Sequence, residues 1–176
     1  MTFRLELVTG RTPPMRSTVL RPAVPDDAPR LVAMFERCSP ASRYARFLAP
    51  LQHFPASHLV DVVRSSEIRR SWVVDDLETG DVIGVGSWFR NEEHTAEIGL
   101  LVEDGRQRMG LGTALLDELA ASAKHAGITM FVAHSLAESR HVHRMVQRLG
   151  PSTIACSGHE CTLHVSLVDE AEALAG

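Results

Sequence analysis

Two glycines, Gly110 and Gly112, stand at the head of an apolar helical pattern in DGRQRMGLGTALLDEL, Asp104 to Leu119, with Arg106 and Arg108 just before them. The opening turn of a helix carries N–H groups without intrahelical partners, and the helix dipole adds partial positive charge there. Such a turn binds anions, and glycine removes the Cβ atoms that would keep a ligand away from the backbone. A phosphate or diphosphate suits the site. A nucleoside triphosphate loop requires Gly-Lys followed by Ser or Thr, whereas Thr113 follows Gly112 directly, so that chemistry has no support. A dinucleotide fingerprint follows the first strand of a Rossmann unit, and this turn follows the last strand of a meander. On the motif alone, tight packing of helix against turn explains the glycines equally well.

The strand before this turn, TAEIGLLVED, alternates: Ala96, Ile98, Leu100 and Val102 on one face, Glu97, Gly99 and Leu101 on the other. Glu97 is a carboxylate on an otherwise apolar strand, read either as an edge glutamate paired with an arginine or as a functional group. Arg140, Arg144 and Arg148 recur every four residues opposite Val142, Met145, Val146 and Leu149. That spacing describes a solvated helix face, and Arg140, near the helix start, is also placed to hold an acidic group. Of the nine histidines, His141 and His143 most invite a metal. Two residues apart on a helix they point to different sides, so no metal is expected. Cys38, Cys156 and Cys161 are odd in number and lack a Cys-x-x-Cys pair, so buried, reduced thiols are expected, with no disulfide and no zinc.

The elements that must position these residues follow from periodicity. STVLRP reads as a strand, and PDDAPRLVAMFERC as a helix capped by Asp26 or Asp27 with Leu31, Phe35 and Cys38 inward. PASHLVDVVRS reads as a second helix, and Tyr44 falls in the loop between the two, as core or as substrate contact. SWVVDDLETGDVIGVGSWF is a hairpin around ETGD. The strand of Glu97 comes next, then a helix to about Ala126, the strand TMFVAHSLA, and the helix ESRHVHRMVQRLG stopped by Gly150 and Pro151. TIACSG and ECTLHVSL close the sheet. The fold class is mixed α/β, of α+β type, with a mainly antiparallel sheet of about seven strands and about four helices.

The chain has 176 residues, 44% of them hydrophobic, enough for one domain spanning 1–176 with its core at about 17–168. A formal net charge of −4 excludes the basic field that sequence-independent nucleic-acid binding requires. Neither a signal peptide nor a membrane span is evident, so a cytoplasmic protein is expected, monomer or homodimer.

The segment VEDGRQRMGLGTALL resembles the signature of the GNAT superfamily of acyl-coenzyme A dependent N-acyltransferases. Its Gln/Arg-x-x-Gly-x-Gly/Ala motif matches Gln107, Gly110 and Gly112, and the element order matches from about Val19 to Leu167. PASRYARFLAP and the Ala-Glu pair of TAEIGLLVED are similar to the Pat-type bacterial protein lysine acetyltransferases, and a stand-alone transferase domain is expected, without the cyclic-nucleotide or nucleotide-binding-like domains of several of them.

The resemblance implies a GNAT-like sheet whose fourth and fifth strands splay apart, with the acyl thioester in the gap. It implies that Gln107, Arg108, Met109, Gly110, Leu111, Gly112 and Thr113 hold the coenzyme diphosphate, and that Leu100, Leu101 and Val102 line its pantetheine arm. The Leu100 N–H would polarise the thioester, and Arg140 would reach the coenzyme 3'-phosphate. Ser139 and Val146 stand where the family often has asparagine and tyrosine, so Ser139 keeps a hydrogen bond to the cofactor while Val146 has no proton to give. Glu97 matches the catalytic glutamate of the Pat-type enzymes, and chemistry gives that position a task. An amine with a pKa near 10.4 is neutral in about one molecule in 2,500 at pH 7, a penalty of about 4.6 kcal/mol. A carboxylate beside it can accept the proton as nitrogen attacks. The implied reaction is acetyl transfer from acetyl-CoA to a protein lysine or a small amine, without a metal. A non-catalytic acyl-CoA sensor is the rival.

Overall fold

β-branched and aromatic residues dominate RRSWVVDD and VIGVGSWFRNE, and they build the centre of the sheet. The computed structural model describes residues 18–168. Its strands are β1 (Thr18–Pro22), β2 (Arg69–Asp76), β3 (Val82–Glu92), β4 (Thr95–Val102), β5 (Met130–Leu136), β6 (Ser152–Ser157) and β7 (Glu160–Ser166). The helices are α1 (Ala28–Arg37), α2 (Pro40–Phe47), α3 (Ala56–Val63), α4 (Leu111–His125) and α5 (Arg140–Gln147). One seven-stranded sheet runs in the order β1-β2-β3-β4-β5-β7-β6. All neighbours are antiparallel except β4 and β5. No described helix is long and apolar enough to cross a membrane.

Alternation along β4 sorts the core into two layers. Ala96 and Ile98 pack with Leu116, Leu119 and Ala123 of α4 and Val146 of α5. Leu101, on the other face, packs with Val85 of β3 and with Leu31, Met34 and Phe35 of α1. α4 and α5 thus cover one side of the sheet, and α1 and α3 the other. The Trp88 indole N–H donates to Ser122 Oγ at 2.8 Å, which satisfies a polar group inside the first layer.

Three sequence expectations are corrected. Tyr44 lies in α2, not in a loop. Ser39 caps α2 by accepting from the Ser42 N–H at 3.1 Å, and Pro40 pre-sets its first turn. Cys156 and Cys161, expected as reduced thiols, form a disulfide across the β6–β7 hairpin, where they are direct cross-strand partners. Asp27 takes the N-cap position of α1 without capping it, because its buried carboxylate accepts from Arg21, Arg30 and the Val24 N–H. Burial opposes that charge, but these partners outweigh it and hold the Asp27 carboxyl below its usual range.

Candidate functional site

β4 and β5 are paired only from Thr95↔Met130 to Ile98↔Ala133. Beyond that point they separate. Glu103 N donates to Ile83 O at 3.0 Å, which makes Leu101 and Gly99 the residues bonded to β3 in the two-residue rhythm of an antiparallel ladder. The N–H and C=O of Leu100 and Val102 therefore face the open edge. A cleft of about 1430 Å³ follows this gap, and its walls include Leu100, Val102, Gly110, Ser135, Ser139 and Val146.

At one end of the cleft stands the N-terminus of α4. Gly110 is its N-cap at φ 84°, a left-handed conformation that glycine adopts without penalty, and its carbonyl accepts the first helical bond from Ala114 at 3.0 Å. The N–H groups of Leu111, Gly112 and Thr113 lie in the first turn, without intrahelical partners. Arg108 is exposed, lines the cleft and also holds a left-handed φ of 61°. Arg106, read beside it as a second positive charge, turns away: its Nη2 binds the fully buried Asp76 at 2.6 Å and ties the turn to β2. Gly112 faces α5, where an added Cβ would meet Met145 Sδ at 3.4 Å.

The turn is tied to α2 by residues that sequence reasoning passed over. Asp104 accepts from the N–H and hydroxyl of Ser39 and from the hydroxyl of Ser42, at 2.7 to 2.9 Å. Burial opposes the Asp104 charge, yet these donors hold its carboxyl below the usual range. Gln107 Nε2 donates at 3.1 Å both to Ser42 Oγ and to the Val102 carbonyl. The motif glutamine thus joins the end of β4 to the start of α2.

Glu97 and Gly99 point to the α1 and α3 side of the sheet, with Arg46 of α2 lying over Gly99. An added Cβ on Gly99 would land within the Arg46 guanidinium, so the glycine is what lets that cation reach the strand. Arg46 Nη2 donates to His58 Nε2 at 3.3 Å, and its guanidinium lies 4.8 Å from the Phe47 ring centroid. Burial lowers the Arg46 pKa to about 10, with Glu97 acting in the other direction, so it stays cationic at neutral pH. Burial, helped by Arg46, pushes His58 down to about 4, so its ring is neutral and accepts from Arg46. Phe47, Phe54 and Phe89 surround it. Glu97 and Tyr44 are exposed and line the same cleft.

The other predicted residues divide. Leu101 and Thr113 line the cleft, and Val146, buried on its floor, offers no donor. Met109 is exposed in the turn, and Leu111 packs against the cluster of Val74, Ile83 and Leu115. Ser139 is the N-cap of α5 and makes no side-chain cap bond. Arg140 is exposed outside the cleft wall, whereas His141 contributes to it. Burial, with Asp104 and Glu103, raises the Cys38 thiol to about 11, so it is protonated and no nucleophile. Among the described residues no group of three or more His, Cys, Asp or Glu is arranged to hold a metal.

A splayed β4–β5 pair leading to a glycine-capped helix defines a class, and a family model agrees: the chain belongs to the acetyltransferase (GNAT) family, matched over residues 29–150. It is 27% identical over 135 residues to acetyltransferase Pat of Mycolicibacterium smegmatis, covering 74% of this chain but only 40% of that protein's length. Its fold matches the GNAT domain of S. lividans PAT with a TM-score of 0.76 and 26% identity, over 85% of this chain and 90% of that one. The Salmonella typhimurium protein yncA, solved with its cofactor acetyl-CoA, shares the fold at a TM-score of 0.69 and 20% identity, over 88% and 96% of the two chains.

Proposed function

We propose that this chain is an N-acetyltransferase that moves an acetyl group from acetyl-CoA to a primary amine, with a protein lysine as acceptor. The observation that carries this reading is the continuous open path from the glycine-capped turn of α4, along the free edge of β4, to Glu97 on the opposite face. The residues fit the coenzyme. Nothing lies within 4 Å of the position a Cβ would take on Gly110, and the first-turn N–H groups beside it would bind an anion. Gln107 to Thr113 would hold the diphosphate, and Leu100 to Val102 would pair with pantetheine. Bound there, acetyl-CoA supplies an acetyl group activated as a thioester. The Leu100 N–H faces the open edge, where it would stabilise negative charge developing on the carbonyl oxygen. Glu97 would accept the proton that the attacking amine releases. The resemblance of PASRYARFLAP and of the Ala-Glu pair on β4 to the Pat-type protein lysine acetyltransferases supports a lysine acceptor.

Val146, without a donor where the family often has tyrosine, favours a second reading, an acyl-CoA sensor. Thiol release from acetyl-CoA, followed with lysine-bearing proteins and with small amines, separates the two. Turnover with any member supports the transferase. Coenzyme binding without turnover across the panel refutes it in favour of the sensor.

A further inference from the structure

Among the described residues, the half-buried arginines have oxygen acceptors, with one exception. Arg21 and Arg30 bind Asp27 and Asp75, Arg69 binds Asp61, and Arg106 binds Asp76. Arg43 and Arg90 donate to backbone carbonyls. Arg46 is the exception. Among the described residues it is the one half-buried arginine with no oxygen acceptor, and its single hydrogen bond goes to a neutral imidazole. Asp61, the acid nearest His58 in its effect, is already held by Arg69. Glu97 acts on Arg46 through space without an ion pair. A guanidinium is built to grip a carboxylate with two parallel hydrogen bonds, and here that fork borders the cleft with no carboxylate hydrogen-bonded to it.

Its placement says which reactant brings the anion. α4 and α5, with the turn read as the diphosphate site, lie on the face of Ala96, Ile98 and Leu100. Arg46, His58 and Glu97 lie on the other. Glu97 and Gly99, two residues apart on β4, are spaced by about 7 Å. An amine that gives its proton to Glu97 can therefore reach the guanidinium over Gly99 with an acceptor group close to that amine, and a carboxylate is the acceptor that also matches its charge.

Building on the transferase reading, we propose that Arg46 is the anchoring site for a carboxylate on the amine acceptor. Two acceptors bring that chemistry: a free amino acid with its own α-carboxylate, and a lysine peptide with an adjacent acidic side chain. The test uses matched pairs in the thiol-release assay: L-amino acids against their α-carboxamides, and lysine peptides flanked by Glu against the same peptides flanked by Gln. The wild type should favour the carboxylate member of one pair by about tenfold or more in kcat/KM, as charge-assisted hydrogen bonds contribute. Arg46→Gln should lower that ratio by about the same tenfold or more, and Arg46→Lys should fall between. The arm that shows the preference names the source. Because each ratio compares two substrates on one protein, a partly unfolded variant lowers both members alike.

A wild-type ratio near one in both arms, or a ratio that survives Arg46→Gln, overturns the proposal and leaves the transferase reading standing. A preference for succinyl-CoA over acetyl-CoA that vanishes in Arg46→Gln would move the carboxylate to the acyl donor and overturn it as well. If no amine is acetylated, the transferase reading fails, and thermal shift tests Arg46 separately with the same matched acceptors. Stabilisation of wild type but not Arg46→Gln by the carboxylate member alone supports the site, and equal shifts for both members overturn it.

Discussion

Replacing Gly110 by alanine perturbs the candidate site at a point where the structure separates backbone from side-chain effects. The residue stands at φ 84° and ψ −5°, and an added Cβ meets nothing within 4 Å, so no steric clash enters. What remains is the backbone term, about 1–2 kcal/mol for a non-glycine residue in the left-handed region. That energy must surface in one of two places. If the turn keeps its shape, melting falls by roughly 2–4 °C per kcal/mol for a chain of this size, and acetyl-CoA affinity is unchanged. If the turn relaxes to negative φ, melting is preserved, but the coenzyme must restore the N–H cradle and binds about 5–30-fold more weakly. Differential scanning calorimetry and isothermal titration on one sample read both, and the two losses should sum to about 1–2 kcal/mol. Gly110→Asn should lose less, since asparagine tolerates this region. Gly105→Ala, in open space without a left-handed φ, is the control and should change neither. Wild-type melting together with wild-type affinity in Gly110→Ala would refute the reasoning.

Three further outcomes are expected. Glu97→Gln should lower turnover at neutral pH by about tenfold or more with coenzyme affinity barely changed, and normal turnover would remove Glu97 from the proton-accepting role. His58 takes up a proton near pH 6.5 when unfolded but only near 4 when folded, so stability present above pH 6.5 is lost as pH falls toward 4, by up to about 3 kcal/mol. Denaturant titrations at several pH values should show that slope in wild type and a flatter one in His58→Gln. Asp27 and Asp104, whose carboxyls are held below their usual range, lose their contributions at lower pH than this window. Arg106→Met leaves the Asp76 carboxylate buried without its cation and should destabilise the fold by about 3–5 kcal/mol in chemical denaturation, and a change under 1 kcal/mol would deny the pair its structural role.

The path from Glu97 to Gly112 was legible in the sequence because strand alternation and a helix start are local signals. Ala96, Ile98 and Leu101 fall on the faces that simple counting assigns. Helix α2 had a local start signal in Ser39 and Pro40, but its tie to the turn, Ser39 and Ser42 meeting Asp104 more than sixty residues away in the chain, left no such trace. The orientation of Arg106 hangs likewise on Asp76, thirty residues upstream. Two signals were present and unused. A glycine inside an apolar strand marks a place where another group comes close, and Gly99 was the pointer to Arg46. Cys156 and Cys161 flank the four residues SGHE, and a two-residue turn there sets them directly opposite each other.

In the proposed complex, main-chain N–H groups of β4 and of the first turn of α4 cradle one extended donor. Backbone amide hydrogen exchange with and without acetyl-CoA tests it most directly. Protection should appear at Leu100 and Val102 and across Gly110 to Thr113, with little change in β6 and β7. Protection at some other segment, or none at these amides under saturating ligand, would contradict the account.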